Sequence, residues 1–182
     1  MSPTEPPASR AVELASETAT SRATGLAAEL GLKVATAESL TGGMLAAALV
    51  DVPGASTAFS GGVIAYDTAL KHSILGVDAD LLAENGPVDP EVARQMARGV
   101  RRACAVGARW ADVGIATTGV AGPDPDPQTG QAVGTVWLGV SSALGERAVP
   151  LDLEGTRAEI QQATVRAAVD VLLDELRGLA SG

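Results

Sequence analysis

The junction at residues 34–50 constrains this chain more than any other stretch. An apolar run from Val34 ends in Glu38-Ser39, and Thr41-Gly42-Gly43 then opens a helical pattern, Met44-Leu45-Ala46-Ala47-Ala48-Leu49-Val50. This reads as a strand, a tight turn and a helix N-terminus, the building unit of a layered α/β fold. First-turn N–H groups have no intrahelical partner and sit at the positive end of the helix dipole. Gly42 and Gly43 carry no Cβ, so a ligand can approach these donors closely. Ser39 or Thr41 is placed there either as an ordinary helix cap or, for Ser39, as a nucleophile whose oxyanion the donors hold.

The rest of the chain extends the pattern. A helix is expected over 11–30, strands over 33–37 and 57–66, short helical turns over 67–75 and 78–84, and a helix over 90–107 with Asp89 as cap and Pro90 at its first position. The Gly61-Gly62 pair marks a bulge or a close backbone contact in the second strand. A strand at 112–117, a loop over 119–132, strands at about 133–141 and 146–152, and a helix to about 178 follow. The last helix opens on a capping box, Thr156-Arg157-Ala158-Glu159. Residues 1–10, rich in Pro and Ser, read as a disordered start, and 11–182 as one domain. Strands alternating with helices, closed by a hairpin, predict a three-layer α/β/α sandwich with a mixed sheet.

Only four of 182 residues are aromatic, so the core must be built from Ala, Val and Leu, with elements in close approach; Trp110 and Trp137 are expected to pack. Asp51, Pro53 and several glycines interrupt the apolar stretch from 40 to 66, which excludes a membrane span. No apolar N-terminal segment follows a basic stretch, so a cytoplasmic location is expected. A net charge of −9 argues against a nucleic-acid surface. Arg94, Arg98 and Arg101 are expected on a solvated helix face opposite Val92, Met96 and Val100. Cys104, the sole cysteine, reads as a small buried hydrophobe. No Cys/His cluster has metal-ligand spacing, and Asp124 and Asp126 lack further carboxylates nearby, so neither metal nor cofactor is expected. His72 is the sole histidine, and a Ser-His-Asp triad would have to use it.

Lysine usage is more informative. Of 13 cationic residues only Lys33 and Lys71 are lysines. An amine can lose its proton when desolvated, whereas guanidinium stays charged. Lys71 follows Tyr66 by five residues, and a serine with a lysine base and a nearby tyrosine is a way to activate a nucleophile without histidine. The bland alternatives are a solvated Lys71 and a half-buried strand Tyr66. Gly119–Gly122 follow a strand and can face the same crevice as the 38–43 turn, while Pro125–Gly130 read as a rigid surface turn.

Five ordered blocks carry a resemblance: Ala35-Thr36-Ala37-Glu38-Ser39-Leu40-Thr41-Gly42-Gly43; Phe59 to Tyr66 followed by Lys71; Gly86-Pro87-Val88; Thr117-Thr118-Gly119-Val120-Ala121-Gly122-Pro123-Asp124; and Val133-Gly134-Thr135-Val136-Trp137. Together they resemble the CinA C-terminal domain family, whose members include nicotinamide-nucleotide amidohydrolases, over roughly residues 11–178. The resemblance implies that Ser39 is the nucleophile and that Lys71 and Tyr66 complete the active site. It also points to Thr118 and Arg157. Leu40 stands where relatives often have cysteine, and Gly155-Thr156-Arg157 where they commonly have Gly-Asp-Arg, so the acidic residue's role does not transfer.

The expectation is a hydrolase converting the carboxamide of nicotinamide mononucleotide to the acid and ammonia. Ser39 would attack, Lys71 would take its proton, and Tyr66 would assist that transfer or hold Lys71 deprotonated. Glu38, Thr41, Gly42, Gly43, Thr118, Gly119, Gly122 and Arg157 would bind the nucleotide, with the N–H groups at 41–43 on the oxyanion or phosphate and Arg157 on the phosphate. A non-catalytic nucleotide-binding module is the alternative, with Ser39 as a cap or phosphate ligand. The Ala- and Gly-rich helix faces suggest a homodimer.

Overall fold

A computed structural model describes residues 8–182, with side chains from residue 19 onward. Residues 1–7 of the expected disordered start lie outside the described residues, and the first helix begins at Ala8, three residues earlier than expected. The elements run α1 (Ala8–Glu29), β1 (Val34–Glu38), α2 (Met44–Val50), β2 (Phe59–Ile64), α3 (Thr68–Ser73), α4 (Ala79–Asn85), α5 (Pro90–Ala103), β3 (Val113–Gly119), β4 (Thr135–Ser142), β5 (Gly145–Asp152) and α6 (Arg157–Ala180). No helix among the described residues is long and apolar enough to cross a membrane.

The five strands form one sheet in the order β2-β1-β3-β4-β5. The β1–β2 and β1–β3 pairs are parallel, β3–β4 and β4–β5 antiparallel, giving the expected mixed sheet. Successive strand residues face opposite sides. Val34, Val113, Ile115, Val136, Leu138 and Val140 therefore join α1, α2 and α6 in one core cluster. Ala35, Ala37 and Ala116 join α3, α4 and α5 residues on the other face. That arrangement is the expected three-layer sandwich.

The near absence of aromatic side chains has a structural counterpart. A Cβ at Gly114 would lie 2.0 Å from the Ala97 carbonyl oxygen, and one at Gly139 1.9 Å from that of Ala93. Backbone therefore meets backbone where α5 crosses β3 and β4. The sheet register shifts between Val34 and Ala35, where β2 advances from Phe59 to Gly61, the irregularity expected beside the Gly-Gly pair.

Asp89 caps α5 through bonds from Glu91 and Val92 N–H, and the capping box of α6 is complete. Three expectations need correction. The fifth helix ends at Ala103, short of residue 107, because Val106 and Arg109 bridge to each other and turn the chain. Arg101 is not on a solvated face: Nε donates to the Ala111 carbonyl and Nη1 to buried Ser141, so its guanidinium ties α5 to the sheet. Trp110 is 48% exposed, so it does not pack as expected, while Trp137 is half-buried opposite Thr118.

From the ends of β1 and β3 the chain departs in opposite directions, towards β2 and β4 respectively. In open α/β sheets such a divergence leaves a crevice at the carboxyl ends of the strands. Glu38-Ser39 and Thr117-Thr118-Gly119 lie there.

Candidate active site

Alternation along β1 turns Glu38 towards α2, and the turn that follows carries Ser39. Ser39 N–H donates to the Thr117 carbonyl (3.0 Å), which extends the β1–β3 pairing by one residue. Gln161 of α6 donates from Nε2 to the Leu40 carbonyl (2.7 Å) and braces the turn from the other layer. Left-handed backbone at Gly42 (φ 59°) and Gly43 (φ 100°) lets the chain reverse into α2, and a Cβ at Gly43 would meet Ile64 at 2.9 Å.

Lys71 projects from α3 into this end of the sheet and is only 1% exposed. Its Nζ lies 3.0 Å from Ser39 Oγ and 2.9 Å from the Ala65 carbonyl oxygen. Burial lowers its pKa from 10.5 to about 8, and the negative charge of Asp67 opposes that fall. Asp67 also caps α3 by accepting from Ala69 N–H. Once Lys71 is neutral, the same 3.0 Å contact lets Ser39 donate its proton to Nζ.

A second group adjoins the first through the Ala65–Tyr66 peptide. Arg157, the first residue of α6, donates from Nη1 to the Gly122 carbonyl and from Nη2 to Tyr66 Oη, both at 2.7 Å. Tyr66 is 59% exposed and its hydroxyl is bonded to Arg157; it makes no hydrogen bond to Lys71. The expectation that Tyr66 governs the Lys71 proton therefore gives way to a clasp of Tyr66, Arg157 and Gly122 joining three segments. A guanidinium held by a phenol and a carbonyl is fixed where it can meet an anionic group.

Glu38 is buried, and its carboxylate accepts from Gly43, Leu45 and Ala46 N–H and from Thr41 Oγ1. Gly42 N–H is bonded to the Ser39 carbonyl. Of the N–H groups at 41–43, those of Gly42 and Gly43 are thus occupied within the protein. Thr41 and Glu38 belong to the turn's own framework. Thr118 is buried and donates to the Pro87 carbonyl (2.6 Å), fixing the loop before α5. Gly119 admits β4, since a Cβ there would lie 2.7 Å from the Thr135 carbonyl oxygen.

His72 bonds through Nδ1 to the Val77 carbonyl (2.8 Å). Asp126 accepts from Gln128 N–H and from Thr129, as a rigid turn requires. Among the described residues no group of three or more His, Cys, Asp or Glu could hold a metal ion. Gln161 and Asp67 escaped the sequence reading, and Thr117 and Ala65 figured there only as members of the motif blocks. Asp67 alone carried a signal, standing as a capping aspartate before the short helix that bears Lys71.

The sequence and the fold have counterparts among known proteins. The family described as the CinA C-terminal domain matches residues 16–176. A CinA-like protein of Frankia casuarinae is 46% identical over 146 residues, covering 80% of this chain and 32% of the relative. A putative competence-damage inducible protein of Bacillus velezensis is 38% identical over 146 residues, covering 80% and 33%. The chain thus spans about a third of the length of these curated relatives. Among solved structures, a competence-damaged protein (CinA) superfamily protein from Klebsiella pneumoniae superposes with a TM-score of 0.83 at 28% identity, covering 90% of this chain and 98% of the other. The competence/damage inducible protein CihA from Agrobacterium tumefaciens gives 0.80 at 33% identity, covering 89% and 95%. The family match over residues 16–176 and the breadth of these likenesses show that the chain belongs to the CinA C-terminal domain family.

Proposed function

We propose that the protein hydrolyses the carboxamide of nicotinamide mononucleotide, with Ser39 as nucleophile and Lys71 as its base. The observation that carries this reading is the 3.0 Å contact between Ser39 Oγ and an amine whose burial lowers its pKa to about 8. The substrate follows from the resemblance of the motif blocks. Ser39 Oγ attacks the amide carbon as its proton passes to Lys71 Nζ. Lys71 returns that proton to the departing nitrogen, ammonia leaves, and water attacks the acyl-enzyme with Lys71 again as base, releasing the acid.

Leu40 and Thr41 carry the turn's N–H groups that have no acceptor among the described residues, and these are the donors left for an oxyanion. Arg157 receives the substrate phosphate. Tyr66 Oη accepts from Arg157 and keeps its own proton to donate to the same anion.

Ammonia release from nicotinamide mononucleotide tests the reading. Ser39→Ala should remain folded and lose turnover by on the order of 10^3-fold or more. Lys71→Arg should be nearly as inactive, because guanidinium cannot act as a base. Near-normal release from Ser39→Ala would refute the nucleophile. Calorimetric binding of the nucleotide by wild type without turnover would favour the binding-module reading.

A further inference from the structure

We propose that Glu38 is a positioning residue whose carboxylate fills the amino end of α2 and thereby holds Ser39 against Lys71. This rests on the Ser39–Lys71 reading of the site. Glu38 is 1% exposed and is the last residue of β1 before the turn. A buried carboxylate persists only where donors surround it. Here Oε2 accepts from Thr41 Oγ1 (2.7 Å), Gly43 N–H (3.0 Å) and Leu45 N–H (3.0 Å), while Oε1 accepts from Ala46 N–H (2.7 Å). All four donors belong to the turn or to α2, so the carboxylate fixes where α2 starts relative to β1.

The network continues across the sheet. Thr41 Oγ1 lies 2.8 Å from Thr117 Oγ1. A hydroxyl has one proton, and Thr41 gives its proton to Glu38, so Thr117 is the donor in that contact. The relay therefore runs Thr117 to Thr41 to Glu38, and the Thr117 carbonyl accepts Ser39 N–H. Ser39 is held between two anchored points, the Glu38 side chain on α2 and Thr117 on β3. With the first-turn donors of α2 already engaged by protein oxygen, substrate anions are bound elsewhere. The end of α2 acts on the reaction only through the aim of Ser39 Oγ.

Three variants test this. Glu38→Gln leaves one acceptor oxygen and turns an NH2 group towards N–H donors; Thr41→Val breaks the relay, and Thr41→Ser restores its hydroxyl. Each is assayed for ammonia release from nicotinamide mononucleotide. The rate at which a fluorophosphonate probe labels Ser39, followed by mass spectrometry from pH 6 to 10, gives a readout independent of that substrate. A misaimed nucleophile lowers kcat by on the order of a hundredfold in Glu38→Gln and about tenfold in Thr41→Val, with KM within about threefold and labelling falling in parallel. Thr41→Ser stays within about twofold of wild type on the same reasoning.

A folded Glu38→Gln protein with a lowered Tm but unchanged kcat and labelling overturns the proposal, leaving Glu38 a purely structural cap. A loss confined to KM also overturns it, since Glu38 would then touch substrate. If Glu38→Gln does not fold, the Thr41 pair decides by the same criteria. A wild-type chain that labels at Ser39 without hydrolysing the nucleotide defeats the proposed substrate, and the labelling rates alone then judge the role of Glu38. A wild-type chain that does neither overturns both.

Discussion

Replacing Lys71 with methionine separates what this residue does for chemistry from what it does to stability. The side chain is 1% exposed, and its pKa falls from 10.5 to about 8. At 1.36 kcal/mol per pKa unit, keeping the amine charged at pH 7 destabilises the fold by about 3 kcal/mol. Methionine fills similar space without that penalty, but it leaves the Ala65 carbonyl and the Ser39 hydroxyl without their donor, which costs about 1 kcal/mol each. The variant is therefore expected to be inactive and more stable than wild type at pH 7 by about 1–2 kcal/mol. The sign of the pH dependence follows from linkage. The folded pKa lies below the unfolded one, so between about 8 and 10.5 the unfolded chain binds more protons and wild-type stability rises with pH relative to the variant. Below 8 the full penalty is present. The stability gap should narrow by about 1 kcal/mol between pH 7 and pH 9, or roughly 2–5 °C in Tm for a chain of this size. Thermal unfolding of both proteins at the two pH values measures this directly, since every other titrating group is common to both. A gap that does not change with pH would refute the lowered pKa, and with it the argument that Lys71 is a base.

The other expectations follow from single contacts. Asp67→Asn retains a good helix cap but removes the charge that raises the Lys71 pKa, so the midpoint of the pH–activity profile should move below about 8; an unmoved or higher midpoint contradicts the assigned electrostatics. Arg157→Ala should raise KM for nicotinamide mononucleotide by on the order of tenfold or more and Tyr66→Phe by less, with kcat the less affected constant in each; steady-state kinetics would show the reverse if Tyr66 served proton transfer. Gly139→Ala should destabilise the fold by about 3 kcal/mol or more, because its Cβ meets the Ala93 carbonyl at 1.9 Å; urea denaturation measures the loss, and a neutral result would mean that α5 can lift from the sheet.

Much of the architecture was legible because local chemistry marks it. Asp89-Pro90 and the Thr156–Glu159 box announce helix starts by satisfying donors within a few residues, and alternation along β1 and β3 assigns side chains to faces. The rarity of lysine draws notice to Lys71, but its pairing with Ser39 comes from the resemblance of the motif blocks to the CinA C-terminal domain family. Contacts made at long range were not legible. The tie from Arg157 to Tyr66 spans 91 residues, and nothing in either neighbourhood encodes it. Amphipathic spacing places Arg101 on a solvated face because it counts a guanidinium as polar and cannot show that a buried hydroxyl awaits it. Sequence alone places Glu38 facing a ligand because it shows the donors at a helix start but not that a side chain five to eight residues earlier has taken them.

Gln161 lies 121 residues downstream of the Leu40 carbonyl that it braces. At synthesis rates of about 5–20 residues per second, a growing chain holds the Ser39 turn for roughly 6–24 s before that brace has been made. Arg157, which closes the clasp on Tyr66, arrives equally late. During translation Ser39 and Lys71 therefore exist well before the groups that hold their surroundings, and a nascent chain stalled ahead of α6 would carry both residues in an unbraced crevice.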